Sequence, residues 1–229
     1  MGVSEDQMKT TAILPVKRLD KAHGRLAAAL PAPARRDLAE AMFLDTVTKL
    51  RHSRCIDSVL VVTADDAVAR WARWLGHEVL LQGEDAGHSA AAAEGASAAL
   101  AEGADRVAML PADCPLLDPH ELDDRLGNSP RTALIVPDRH GTGTNALVLC
   151  PPDAVMPGFG PDSCARHVSR ARAAGISFAL ERLQSMSLDL DTPEDMSQLR
   201  DALLLDPEPA PRTAKLLWDL RPEAETAVA

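Results

Sequence analysis

Short apolar runs and helix-patterned stretches alternate from residue 11 to about residue 205, and this rhythm restricts the chain to a mainly parallel sheet covered by helices on both faces. Thr11-Ala12-Ile13-Leu14-Pro15-Val16 reads as the first strand. A helix is expected from about Pro33 to Arg51, where Leu38, Met42, Val47 and Leu50 recur at helical spacing. Strands at 56–62 and 78–81 flank a helix at 65–75, and Ser89 is placed to cap an Ala-rich helix running to about Glu102. Arg106-Val107-Ala108-Met109-Leu110 is a buried strand by pattern, and Asp118-Pro119 has the form of an N-cap and first helical residue. Strands at 132–136 and 146–150, a helix opened by Ser163, a strand at 176–180 and a last helix after Thr192-Pro193-Glu194-Asp195 complete the series. Residues 1–10 are expected as a flexible N-terminus, 11–205 as one α/β domain and the proline-rich 206–229 as a tail, with Leu216-Leu217-Trp218 able to dock on the body or on a partner.

The 229 residues suffice for one sizeable core, and their net charge of −10 with three Phe, three Trp and no Tyr supplies neither the cations nor the stacking rings of a nucleic-acid binder. No apolar run reaches the roughly 18 residues of a membrane span, and the acidic start is not an export signal, so a cytoplasmic address is expected. Cys55, Cys114, Cys150 and Cys164 form no paired motif and read as small buried hydrophobes or bystanders.

Five segments are candidates to carry chemistry. Asp113 ends an apolar run and stands between Pro111 and Pro115, which stop the strand and stiffen the turn; it is either an Asx-type turn or a metal ligand at the carboxyl end of a strand. Lys17, Arg18, Lys21 and Arg25 follow the first strand of an otherwise acidic protein, as a phosphate-rich ligand would require or as a solvated loop would also show. Gly141-Thr142-Gly143-Thr144-Asn145 suits close approach to an anion or forms a plain hairpin turn, and Phe159-Gly160-Pro161-Asp162-Ser163 brings a hydroxyl and amides to a helix start. Asp189 and Asp191, two apart, share a face if extended and repel unless a cation joins them, although Asp191 alone also fits a helix cap. His140 and His167 lack a second ligand at metal spacing and read as polar surface or loop residues.

In this order, Leu14-Pro15-Val16-Lys17 with Arg25-Leu26, Leu110-Pro111-Ala112-Asp113, Asp138 to Asn145, Phe159-Gly160-Pro161-Asp162-Ser163 and Asp189-Leu190-Asp191-Thr192-Pro193 resemble the guanylyltransferases of deazaflavin coenzyme F-420 biosynthesis, over about residues 11 to 204. The resemblance implies a three-layer α/β/α nucleotidyltransferase fold of the sugar-nucleotide type for 11–205. It implies GTP as donor, phosphoenolpyruvate or 2-phospho-L-lactate as acceptor, and Mg²⁺. By position it puts Pro15, Lys17, Arg25, Ser89 and Asp113 at the nucleotide, with Lys17, Arg25 and Asp113 catalytic. Asp113, Asp189 and Asp191 would hold the metal, and Thr144, Gly160 and Ser163 the acceptor. It implies as partner the next enzyme of the coenzyme F-420 pathway, which consumes the product, and leaves a homodimer open. Two positions depart from the family pattern: Ala22-His23-Gly24-Arg25-Leu26 where a second Lys is usual, and Gly87-His88-Ser89 where Gly-Leu-Asn is usual. A nucleotidyltransferase using another base or acceptor, a glycosyltransferase using Asp189 and Asp191, and a non-catalytic nucleotide-binding protein are the competing readings.

Overall fold

A computed structural model describes residues 8–127 and 132–220. Seven strands form one sheet in the order β3-β2-β1-β4-β6-β5-β7. They are β1 (Thr10–Val16), β2 (Ser58–Thr63), β3 (Glu78–Leu81), β4 (Arg106–Met109), β5 (Ala133–Pro137), β6 (Thr144–Leu149) and β7 (Phe178–Leu180). β6 runs antiparallel to both its neighbours and every other pairing is parallel, as the rhythm of the sequence predicts.

Successive residues of β1 send their side chains to opposite faces and so define the layers. Ala12 and Leu14 pack with Phe43, Val47 and Leu50 of α1 (Ala32–Leu50), Val68 and Ala72 of α2 (Asp66–Trp74) and Leu122 and Leu126 of α4 (Pro119–Gly127). Ile13 packs on the other face, against the alanines of α3 (His88–Ala101) and against Cys164 and Ala171 of α5 (Ser163–Ala173). α3 lies so close to the sheet that a Cβ at Gly95 would sit 2.6 Å from the Ile13 Cγ2. The small residues on the buried face of this helix are therefore a packing requirement.

Several local expectations are corrected. The apolar positions of α1 do not share one face: Val47 and Leu50 meet the sheet, whereas Leu38 and Met42 meet α6 (Pro193–Leu205) and α7 (Pro211–Asp219) in a third cluster. Helix α7 replaces part of the tail expected over 206–229. Leu217 and Ala210 are buried, and Asp45 of α1 accepts bonds from the Thr213 amide and hydroxyl, both at 2.8 Å. The buried Leu217 meets the expectation that Leu216-Leu217-Trp218 could dock on the body, whereas the pairing of Thr213 with Asp45, 168 positions apart, left no local sign. Residues 221–229 of that tail and 1–7 of the expected N-terminal arm lie outside the described residues, while Thr10 already belongs to β1. Ser89 does not cap α3, which starts at His88 with Gly87 in the cap position. Asp65, Asp118 and the Thr192–Asp195 capping box start their helices as the sequence indicates.

Candidate functional site

The central parallel strands β1 and β4 end side by side, joined by the Leu110 N–H donating to the Ile13 carbonyl at 2.9 Å, and the loops that follow them meet above the sheet. A cavity of about 410 Å³ opens there, lined by Pro15, Lys17, Lys21, His23, Arg25, His88, Asp113 and Asp191 among others. The cationic loop after β1 and the Asp113 turn after β4 are thus two walls of one cleft, at the carboxyl edge where open α/β sheets bind ligands. Arg18 faces away from it, paired with Asp20 at 3.1 Å.

The Asp113 turn is held from beneath. Lys49, in the last turn of α1, donates through Nζ to the carbonyls of Pro115 and Leu117, the latter at 3.1 Å. Burial lowers its pKa to about 8, partly opposed by Asp45 and Asp118. Sequence reading passed over this lysine because nothing in a helical pattern reveals which loop runs behind it.

The ligand atoms of Asp113, Cys114 and Asp189 lie within 4.8 Å of one another. Among the described residues neither carboxylate forms a salt bridge. Burial pushes the Asp189 pKa up to about 8, reinforced by the negative charges of Asp113 and Asp191. Cys114 is completely buried, and its thiol pKa is raised well above the ordinary value by burial and by the Asp189 and Asp113 carboxylates. Its burial is what the reading as a small buried hydrophobe expects, and it lies within the cluster as a protonated thiol.

Asp191 stands apart from this trio. The Asp191 N–H bonds to the Asp189 carbonyl at 3.2 Å, so the stretch is turned rather than extended, and the shared face expected from their spacing is not formed. The Asp191 carboxylate lines the cavity and accepts from Arg25 Nη1 at 2.7 Å. Two groups assigned from the sequence to metal and to phosphate therefore satisfy each other. The pair is exposed, so it is weak and yields readily to a stronger partner.

Thr144, Gly160 and Ser163 are all tied to α5. The loop between β5 and β6 is a hairpin connection, turned by Asp138, whose carboxylate accepts from the Thr142 N–H at 2.9 Å. Thr142 in turn accepts from the Cys164 N–H at 3.1 Å, which ties this loop to the start of α5. Gly160 has φ of +102°, a conformation that side chains resist, and its carbonyl accepts from the Ser163 N–H at 3.1 Å. The Ser163 hydroxyl is buried and without a hydrogen-bond partner among the described residues. The Ser89 hydroxyl is 3.4 Å from the Phe159 carbonyl, while its neighbour His88 lines the cleft.

The reading of His167 as surface or loop is overturned. It is 0% exposed, with Nδ1 3.0 Å from the Thr144 hydroxyl and Nε2 2.9 Å from the Gly158 amide. His140 is exposed, as expected. The Phe159 ring lies edge-on between His88 and His167, at 4.8 and 5.3 Å between centroids, and connects the cleft to the Thr144 side. His88 was visible in the sequence only as a departure in the segment before the Ala-rich helix. For His167 the signal was its place on one helical face with Ser163, Arg166 and Arg170.

Comparison with known proteins gives a consistent picture. A family described as guanylyl transferase CofC like matches residues 10–201. A phosphoenolpyruvate guanylyltransferase of Conexibacter woesei is 48% identical over 200 residues, covering 86% of this chain and 89% of that protein. A 2-phospho-L-lactate guanylyltransferase of Methanothermobacter thermautotrophicus is 34% identical over 192 residues, covering 84% of each. Among solved structures, one assigned as a nucleotide-diphospho-sugar transferase of Desulfovibrio desulfuricans G20 superposes with a TM-score of 0.75 at 19% identity, covering 93% of this chain and 95% of that one. A cytidylyltransferase of Leptospira borgpetersenii gives 0.60 at 17% identity, covering 86% and 87%. The two structures share the three-layer nucleotidyltransferase fold.

Proposed function

The chain belongs to the CofC-like guanylyltransferase family, and from that premise we propose how its residues move GMP from GTP onto the phosphate of phosphoenolpyruvate or 2-phospho-L-lactate, with release of pyrophosphate. The observation that carries the proposal is the meeting of the cationic loop and the Asp113–Asp189 pair at one cleft, with Phe159, the residue before Gly160, packed against the cleft residue His88. The greater identity to the phosphoenolpyruvate enzyme favours that acceptor.

GTP enters the cleft with its phosphates toward Lys17, Lys21 and Arg25, which neutralise the leaving pyrophosphate. The acceptor sits on the other side, its anionic groups meeting the Thr144 hydroxyl, the Gly160 backbone and the orphaned Ser163 hydroxyl, whose burial without a partner is relieved by a ligand. An acceptor phosphate oxygen attacks the α-phosphorus, the bond to the β-phosphate oxygen breaks, and pyrophosphate departs. A phosphate dianion is already a nucleophile, so no general base is needed.

Two carboxylates forced together without a cation fit a hard divalent ion. Asp113, Asp189 and Asp191 would hold Mg²⁺, Asp191 by giving up Arg25, while the protonated Cys114 thiol does not compete for a hard ion. Bound there, Mg²⁺ offsets the repulsion between two anionic reactants. The product, in which a new P–O–P linkage joins GMP to the acceptor phosphate, is a substrate for the next step of coenzyme F-420 biosynthesis, and we read the enzyme as cytoplasmic; among the described residues no helix is long and apolar enough to cross a membrane.

The test is pyrophosphate release with Mg²⁺ and GTP, CTP or ATP as donor, against phosphoenolpyruvate, 2-phospho-L-lactate and 3-phosphoglycerate. Release from GTP with one of the first two is expected; release with 3-phosphoglycerate alone, or from CTP alone, would overturn the assignment. Asp113→Asn should lower turnover by about 100-fold or more, since even outer partners of a metal ligand are worth 10–100-fold. A folded, fully active variant would remove Asp113 from the metal set.

A further inference from the structure

We propose that His167 is a positioning residue for the acceptor: it sets the Thr144 hydroxyl as a hydrogen-bond donor toward the acceptor's anionic groups and anchors the loop that presents Gly160. The inference rests on the reading of Thr144, Gly160 and Ser163 as the acceptor pocket.

The two ring nitrogens have different partners, and one of those partners leaves no choice. A backbone N–H only donates, so His167 Nε2, 2.9 Å from the Gly158 amide, is the acceptor nitrogen. Burial, and then the guanidinium groups of Arg170 and Arg166, lower the imidazole pKa to about 4, so the ring is neutral near pH 7 and its single proton is on Nδ1. Nδ1 is 3.0 Å from the Thr144 Oγ1. The ring therefore donates, the threonine oxygen accepts, and the hydroxyl's own hydrogen points elsewhere. Phosphate and carboxylate oxygens only accept, so this is the orientation an anionic acceptor needs.

The loop is held by the same helical face. Arg166 donates to the carbonyls of Gly158 at 2.6 Å and Pro161 at 2.8 Å, and Arg170 to that of Met156 at 2.7 Å. His167 alone among these three reaches both the loop, through Gly158, and the strand residue Thr144. It links the two segments between which an acceptor would lie, and the mechanism above gives it no other task.

Steady-state kinetics of the full chain with Mg²⁺, GTP and phosphoenolpyruvate test this. His167→Phe keeps the ring and removes both polar atoms; it is expected to raise the acceptor KM about tenfold, the worth of one bond to a charged group, with the GTP KM unchanged. His167→Gln retains one donor and one acceptor and should recover most of the loss. Because His167 acts partly through the Thr144 hydroxyl, adding His167→Phe to Thr144→Val should raise the acceptor KM by clearly less than the product of the two single losses, the remainder coming from the loop contact through Gly158. Multiplying losses in the double variant, or equal movement of the two KM values, would overturn the proposal. The ¹⁵N spectrum of histidine-labelled wild-type protein reads the tautomer whether or not any variant folds: a proton on Nδ1 supports the proposal and one on Nε2 defeats it. Absence of wild-type turnover with every acceptor would instead overturn the acceptor reading itself, and the tautomer measurement keeps that failure separate.

Discussion

At the scale of single residues, the site is a set of groups that are costly without their ligands. Asp189 has a pKa of about 8 in the folded chain against about 4 for a free carboxylate, so over that interval the folded state binds the extra proton. Its contribution to stability is present below about pH 4 and is lost as pH rises through about 8. Thermal melts without divalent ions should therefore show wild type losing stability relative to Asp189→Asn as pH rises from about 5 to about 8, by at least about 1.4 kcal/mol, the worth of one pKa unit. Added Mg²⁺ should stabilise wild type and leave the variant unmoved; identical pH profiles for the two proteins would show that the carboxylate is not strained. Asp113 was legible in the sequence because two prolines isolate it at a strand end. The pairing of Arg25 with Asp191 was not legible, since 166 positions separate them and nothing local records the contact.

At the scale of elements, α1 does more than cover the sheet. Within its last two turns it caps the start of α7 through Asp45 and supports the Asp113 turn through Lys49. Lys49→Met keeps the stem and removes the donors for two carbonyls. It should cost about 1–3 kcal/mol by leaving those groups unpaired, and lower turnover by loosening Asp113, as denaturant melts and pyrophosphate release will show. Unchanged kinetics in a destabilised variant would confine Lys49 to a structural role. Most strands and helices were readable to within a residue or two, because period-2 and period-3.6 patterns are local. α1 shows where that reading stops: its apolar positions gave the helix but not the division of Leu38 and Met42 from Val47 and Leu50, which depends on having partners on two sides.

At the scale of the molecule, helices and sheet close around a cleft whose last support comes from the end of the described chain. Ending the chain at Asp206 removes Leu217 and Ala210 from the third cluster and strips the buried Asp45 carboxylate of Thr213 and Arg212. It should destabilise the protein by about 3–5 kcal/mol, the cost of a buried charge losing its partners; a truncated chain that melts like the full one would make α7 an appendage. The alternation of apolar runs determined the layered α/β architecture without help, because burying a strand on both faces is possible only between helices. The order of chemical motifs along the chain likewise determined the family. Only tertiary structure decided which charges oppose each other, which imidazole nitrogen accepts, and where the final helix docks. Those outcomes depend on distances between residues far apart in sequence and on the exclusion of water between them, and neither is written in any local pattern.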